Sequence, residues 1–143
     1  MSDVNHYRIL ANSPEEQVCQ LASTVLQNYQ KSQLKLLSGP RQALVMLRVR
    51  ETVANSLFHA GEVLVTEVKL ELDGQFGFGM IMGDSPRRAM AVALVDAALR
   101  KGGPVAEQLQ HELAELDRQL AQRRQQEQAL VAKTKVNFER MDT

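Results

Sequence analysis

The chain has 143 residues, of which 17 are Lys or Arg and 17 are Asp or Glu, so its formal net charge is zero. Balanced charge argues against non-specific binding to nucleic acid or to an anionic membrane, because both need a basic face. Aromatic residues make up 4% and Trp is absent, which disfavours base-stacking platforms. No apolar run approaches the roughly 20 residues of a membrane helix, and no basic-then-apolar leader opens the sequence. We therefore expect a single cytoplasmic domain.

Two helices are predicted at the start of the chain. Residues 3–12 form the first, and Ser13 has the position of an N-cap for the second, with Pro14 at its first helical position. The second helix reaches about Gln30. Its apolar residues recur at helical spacing: Val18, Leu21, Ala22, Val25, Leu26 and Tyr29. Cys19 is the single cysteine, so no intrachain disulfide can form, and we expect a small buried thiol in a reducing compartment.

Strands are predicted in the middle of the chain. Residues 34–37 are a short strand candidate that Gly39-Pro40 ends. Residues 43–51 form a stronger strand, and residues 56–59 are irregular or a very short strand. Residues 62–72 form a long strand with one apolar side and one wet side.

The long strand leads into a predicted hairpin over residues 62–83, whose turn is signalled by Asp73-Gly74. A two-residue loop would place Phe76 opposite Glu71 and so mix apolar with charged residues on one face. We therefore expect a three-residue loop over residues 72–74. It gives these pairs: Leu70 with Phe76, Val68 with Phe78, Thr66 with Met80, and Leu64 with Met82.

Three glycines in this hairpin, Gly77, Gly79 and Gly83, resemble a dinucleotide-binding fingerprint. A true fingerprint lies in the turn between a strand and a helix of a βαβ unit, whereas here the preceding strand is a hairpin partner. Strand glycines on the polar face are therefore favoured, and such glycines mark the close approach of another backbone or of a ligand. A phosphate-binding loop remains the alternative.

A helix start follows the hairpin, with Ser85 as its N-cap and Pro86 at its first position. Arg87 and Arg88 lie in the first turn, where the helix dipole disfavours cations. An anion bound by Ser85, Arg87 and Arg88 would explain them. Two solvated arginines at a surface helix start are the simpler alternative.

The last third is predicted to be helical up to a strand-like tail. The helix over residues 86–101 is apolar nearly all round and so buried, and Asp96 within it needs a hydrogen-bonding partner. The next helix, over residues 104–132, has a leucine seam suited to one partner helix and becomes a polar arm beyond Ala121. Residues 134–141 alternate in polarity like a strand that pairs with a sheet in this chain or another. The seam comprises Leu109, Leu113, Leu116 and Leu120, and the alternating tail residues are Thr134, Val136 and Phe138.

Few residues have the spacing of a catalytic or metal site. His6, His59 and His111 are far apart without ligand spacing, so we expect no metal site built from this chain alone and no catalytic residue. Glu62 and Glu67 could flank a pocket, but a role at an interface is favoured over acid–base catalysis. The candidate interface residues are Glu62, Glu67, Gly77, Gly79, Thr134, Val136 and Phe138.

These elements predict a single α+β domain over residues 1–143. An antiparallel sheet built around the long hairpin packs against the N-terminal helices and one buried helix, and a helical arm and a strand-like tail complete the fold. The expected boundaries are 2–30 for the N-terminal helices, 34–83 for the sheet, 86–101 for the buried helix, 104–132 for the C-terminal helix and 134–141 for the tail.

The block over residues 57–102 resembles the central part of PhnG, a family of subunits of the bacterial carbon–phosphorus lyase core complex. The matching residues are Phe58, Gly61-Glu62, Val65-Thr66-Glu67, Gly74, Gly77-Phe78, Gly83 and Ala93-Leu94-Val95-Asp96-Ala97. Residues 7–11 and 134–141 are similar to the ends of the family, so the resemblance spans almost the whole chain in order. The chain departs from the family at Tyr7, where a Trp is common, and in its shortened end, Met141-Asp142-Thr143.

The resemblance implies an accessory subunit that works with PhnI-, PhnH- and PhnJ-like subunits in a symmetric hetero-oligomer. With a PhnL-like ATPase-related protein, such subunits replace the adenine of ATP by a phosphonate, giving α-D-ribose 1-methylphosphonate 5-triphosphate. ATP and Mg are then bound by the complex, and this chain alone binds no cofactor. It would be one subunit of a multi-subunit transferase, with no self-contained active site.

Two other classes of function stay open. The first is an autonomous nucleotide- or phosphate-binding protein that uses the helix start over residues 83–88. The second is a homo-oligomeric structural protein held together by the leucine seam. The accessory subunit is favoured because a polar helical arm, a strand-like tail and strand glycines are typical of a protein shaped for partners.

Overall fold

A computed structural model describes the backbone of residues 3–50 and 57–141 and the side chains of residues 6–46 and 61–133. The chain order is α1 (Asp3–Asn12), α2 (Glu15–Asn28), a short 3-10 helix (Lys31–Gln33), β1 (Leu34–Arg50), β2 (Leu57–Leu72), β3 (Gln75–Met82), α3 (Pro86–Lys101) and α4 (Pro104–Met141). This α+β architecture, with its antiparallel sheet, buried helix and long C-terminal helix, confirms the predicted fold class.

The sheet has three antiparallel strands in the order β1-β2-β3. The prediction that Gly39-Pro40 ends the first strand is wrong, because β1 continues through it with register shifts between Leu36 and Ser38 and between Ser38 and Arg41. At these irregularities the strand accommodates Pro40, which has no backbone N–H to donate to the neighbouring strand. Residues 56–59 are predicted to be irregular or a very short strand, whereas from Leu57 onward they form the start of the long strand β2.

The hairpin register differs from the predicted one. Asp73 and Gly74 both have positive φ, 49° and 82°, as a two-residue turn of the hairpin type requires. Phe76 therefore lies opposite Glu71 and Phe78 opposite Lys69, which is the pairing that the sequence argument rejected. A three-residue loop would be needed only if the aromatic residues of β3 faced the core, whereas Phe76 is 41% exposed.

The buried face of β3 is formed by Gly77, Gly79 and Ile81, so the prediction that the glycines lie on the polar face is wrong. A Cβ atom added to Gly77 or Gly79 would collide with the backbone of α3, at the carbonyl oxygens of Ala93 and Ala89 respectively. The close approach that strand glycines indicate is therefore made by a helix of the same chain. The glycines let α3 lie directly on the sheet.

Helix α3 is the centre of the fold, with the sheet on one side and helices α1, α2 and α4 on the other. Its residues from Ala91 to Ala98 are all buried, as the apolar sequence predicts. The leucine seam of α4 is also buried and packs inside the same chain, so it is not available to hold a second copy. Cys19 on α2 is half-buried. No helix in the described ranges is both long enough and apolar enough to cross a bilayer.

The predicted strand-like tail is wrong, because α4 continues as a helix to Met141. A strand needs a neighbouring strand to satisfy its backbone groups, whereas a helix satisfies them within itself. The side chains of Thr134, Val136 and Phe138 lie outside the described residues. Ser13 also has another role than the predicted N-cap, since its hydroxyl donates a 2.6 Å hydrogen bond to the carbonyl of Ile9 and so closes α1.

Candidate functional site

Asp96 on α3 is the centre of a buried polar cluster that joins three elements. Nε2 of His6, on α1, donates to Asp96 Oδ1 over 2.7 Å, and the backbone amide of Phe78, on β3, donates to Oδ2 over 2.8 Å. Nε of Arg100 lies 3.1 Å from both carboxylate oxygens. The prediction that Asp96 is satisfied by hydrogen bonds inside the fold is confirmed.

The cluster keeps Asp96 ionised. Burial raises the pKa of Asp96, but hydrogen bonds from His6, the Phe78 amide and Arg100 together outweigh it, so the net pKa is lowered. The hydroxyl of Tyr7 and this carboxylate raise the pKa of Arg100, and burial raises the pKa of Tyr7. Because His6 and Asp96 are 2% and 0% exposed, the pair holds elements together instead of meeting a substrate at the surface.

The loop between β3 and α3 is held by Thr66, whose side chain is buried. Its hydroxyl donates to the carbonyl of Gly83 over 2.6 Å and accepts from the amide of Ser85 over 3.0 Å. The amide of Gly83 in turn donates to the carbonyl of Leu64 over 2.7 Å. The segment that resembled a phosphate loop is thus fastened to β2.

The three candidate anion-binding residues lie near one another at this helix start, but two of them already have partners. Arg88 donates from one guanidinium nitrogen to the carbonyls of Leu10 and Ser13, over 2.9 and 2.6 Å, and the amide of Ser85 is bonded to Thr66. Arg87 is exposed. Arg88 therefore joins α3 to the end of α1, and anion binding by Ser85, Arg87 and Arg88 stays a prediction.

Strands β1 and β2 extend beyond β3, which pairs with β2 only from Val65 to Leu72. We call the extension, residues 44–50 and 57–64, the β arm. Apolar side chains lie on both faces of its described part: Leu44 pairs with Leu64 on one face, and Val45 pairs with Val63 on the other. Leu44 is 66% exposed, and Val45 and Leu64 are also exposed.

The outer face of the sheet carries further exposed apolar residues along β3. These residues are Phe76, Met80 and Met82. Candidate interface residue Glu67 lies on the same face, where its Oε1 accepts a hydrogen bond from Arg41 over 2.6 Å. Glu62, the other carboxylate, is exposed on the β arm. The structure therefore places the two glutamates close to apolar surface and not around a pocket.

A second extension, the α4 arm, begins at Ala121. Every described side chain from residue 121 to residue 133 is exposed, including Leu130 and Val131. The predicted helical arm is therefore present, and its 13 described side chains from residue 121 to residue 133 are all exposed.

A family model described as "Phosphonate metabolism protein PhnG" matches residues 4–142. The chain belongs to the PhnG family. Its role therefore lies in phosphonate metabolism. A search of the curated proteins found no match.

The PhnG-family motifs now have structural roles. Gly77 allows α3 to approach the sheet, Thr66 fastens the β3–α3 loop, and Asp96 joins α3 to α1 and β3. The role of His6 could not be predicted, because it lies 90 residues from Asp96 and no spacing rule connects them. The usable signal was Asp96 itself, since a carboxylate in an apolar helix requires a partner. Within the described residues, no group of three or more His, Cys, Asp or Glu side chains is placed to hold a metal ion.

Proposed function

We propose that this chain is an accessory subunit of the carbon–phosphorus lyase system. It assists the formation of α-D-ribose 1-methylphosphonate 5-triphosphate from ATP and a phosphonate. It acts within a symmetric hetero-oligomer of PhnI-, PhnH- and PhnJ-like subunits, together with a PhnL-like protein. ATP and Mg are bound by that assembly, and the reacting groups belong to other subunits.

The observation that carries this proposal is the β arm, with exposed apolar side chains on both of its faces. A two-stranded ribbon is marginally stable in water by itself, and exposed apolar patches mark interaction sites. Taking an apolar side chain from full exposure to full burial stabilises a complex by about 1.5–3 kcal/mol. Leu44 is 66% exposed, and Val45 and Leu64 are 41% and 39% exposed, so each would contribute part of that value. A partner that covers both faces of the β arm would therefore bury more apolar side chains, and gain more binding free energy, than a partner that covers a flat patch.

The Asp96 cluster supports the same proposal. Its carboxylate, imidazole and guanidinium have the chemistry of an acid–base site, but the hydrogen bonds of Asp96 are directed at α1, β3 and α3 of this chain. Such a cluster makes the body rigid. A rigid body that presents two extended arms is suited to organising other subunits.

Co-expression with a PhnI-like subunit tests the proposal. The wild-type chain should co-elute with its partner in size-exclusion chromatography, and a Leu44→Ser, Met46→Ser double variant should not, because both side chains are exposed on the arm. Leu26→Ser is the matched control, since Leu26 is an exposed leucine on α2, away from the arm. Co-elution of the arm variant at the wild-type level would refute the role of the arm. ATP turnover by the isolated chain would favour an autonomous nucleotide-binding protein instead.

A further inference from the structure

The two outer strands of the sheet differ in how well their free edges are protected. Because the strand order is β1-β2-β3, each of them has a neighbouring strand on one side only. Proline, charged side chains and irregular register keep an exposed edge from pairing with a further strand. β1 has Pro40, register shifts on both sides of it, and basic residues at Lys35, Arg41, Arg48 and Arg50. β3 has the sequence QFGFGMIM, without proline or charge, and pairs with β2 in an unbroken register. The edge of β3 therefore lacks the devices that protect β1.

The backbone of β3 presents hydrogen-bonding groups to this free edge at every second residue. The amide of Phe78 donates to Asp96 and not to β2, so it points to the free edge. The N–H and C=O groups of Met80 and Met82 point the same way, since their direction alternates along a strand. In the described part of the chain these groups of Met80 and Met82 have no hydrogen-bond partner. The edge is thus closed by Asp96 at Phe78 and open from Met80 to Met82.

The side chains beside the open segment are apolar and exposed. Met80 is 43% exposed and Met82 is 74% exposed, and both lie on the face of β3 opposite the buried glycines. An apolar edge without protection is a site of pairing with another chain. Unpaired N–H and C=O groups in a line are matched by an extended strand, which supplies the complementary groups at the same spacing. The occupant that this edge fits is therefore a strand.

We propose that a β-strand of an assembly partner pairs with the free edge of β3 and extends the sheet to four strands. The strand exchanges backbone hydrogen bonds with Met80 and Met82, and its apolar side chains lie beside theirs on the outer face. It makes no bond with the amide of Phe78, which Asp96 retains. The assembly partner as the source of the strand rests on the proposed function, whereas the open edge does not. This edge is separate from the β arm, which lies beyond the end of β3.

A proline substitution tests whether the backbone of β3 is used. Met80→Pro removes an N–H that faces the free edge, where proline is tolerated in a strand. Met80→Ala is the matched control, because it removes the same side chain and keeps the N–H. In co-expression with the PhnI-, PhnH- and PhnJ-like subunits, Met80→Pro should reduce co-elution about tenfold or more relative to Met80→Ala, since the carbonyl of the partner strand is left unpaired. Co-elution of a folded Met80→Pro at the level of Met80→Ala would overturn the inference.

Amide hydrogen exchange at residue resolution tests the same edge without a substitution, and so also covers a Met80→Pro variant that does not fold. In the isolated chain the amides of Met80 and Met82 should exchange fast, and those of Gly79 and Ile81 slowly, because the latter pair faces β2. In the complex, exchange at Met80 and Met82 should slow by about tenfold or more while Phe78 changes little. Fast exchange at Met80 and Met82 in the complex would contradict a paired strand.

A designed strand peptide separates failure of the edge from failure of the proposed function. Acetyl-KTVTVTVK-amide should give saturable NMR shifts of the Met80 and Met82 amides in the isolated chain, and the same peptide N-methylated at alternate residues should give none. Equal shifts from both peptides, or none from either, would contradict a strand site. If the peptide binds but the wild-type chain does not co-elute with the other subunits, the proposed function fails and the strand site stands. A wild-type dimer that Met80→Pro converts to a monomer would identify a second copy as the occupant and exclude a partner strand.

Discussion

Gly79→Ala should destabilise the chain through a single added methyl group. Gly79 faces α3, and a Cβ atom there would collide with the carbonyl oxygen of Ala89 and lie 2.8 Å from the amide nitrogen of Ala93. Both atoms belong to helix backbone and cannot rotate away, so α3 has to move off the sheet. Overpacking of this kind costs about 1–3 kcal/mol.

The assay is thermal unfolding of the isolated chain followed by circular dichroism. At about 3 °C per kcal/mol for a chain of this size, Tm should fall by about 3–9 °C. Met80→Ala is the matched control, because Met80 is the next residue and is exposed on the opposite face of β3. It should change stability by less than about 0.5 kcal/mol. A neutral Gly79→Ala would refute the reasoning, and a strongly destabilising Met80→Ala would in addition show that the other face of β3 is buried.

Three further predictions concern the Asp96 cluster, the β3–α3 loop and the α4 arm. Asp96→Asn should cost about 1–3 kcal/mol, because the carboxylate that accepts hydrogen bonds from His6, the Phe78 amide and Arg100 is lost. Since the folded pKa of Asp96 is lowered below its ordinary value of 3.8, the stability it contributes is present above that value and is lost as the pH falls through the folded pKa. Tm measured from pH 7 to pH 2 should therefore fall less for Asp96→Asn than for wild type, and parallel curves would contradict this. Thr66→Val should cost about 1–3 kcal/mol in urea unfolding, because it leaves the Gly83 carbonyl and the Ser85 amide without their partner, whereas Thr66→Ser should retain most of the stability; equal losses would rule out the hydrogen-bond explanation. Deleting residues 121–143 should leave Tm within a few degrees and abolish co-elution with the PhnI-like subunit, and normal assembly of the truncated chain would refute a role for the α4 arm.

Local sequence signals predicted the helices and the presence of the hairpin well. Helical periodicity and the Asp-Gly turn act over a few neighbouring residues, and the structure confirms α1, α3 and the hairpin over residues 62–83. The register could not be predicted in the same way. It depends on which face of β3 meets α3, and that contact joins residues far apart in the chain. Alanines at positions 89, 93 and 97, four residues apart on one helix face, were the usable signal for close packing on glycines.

The candidate site was predictable only in part. The carboxylate of Asp96 in an apolar helix predicts a hydrogen-bonding partner. That this partner is His6 could not be predicted, because it depends on the fold bringing α1 against α3. The alternation over residues 134–141 indicated a strand, yet the backbone there is helical, because short alternating segments do not determine structure without a neighbouring strand. The apolar residues of the β arm predict strands but not their exposure, because the exposure depends on β3 pairing with β2 only from Val65 to Leu72.

Hydrogen–deuterium exchange of the chain, alone and bound to the PhnI-like subunit, tests most directly whether it works through its exposed arms. Amides over residues 44–46 and 61–64 of the β arm should become strongly protected in the complex, while the already buried α3 changes little. Unchanged exchange in the β arm upon binding would contradict the account.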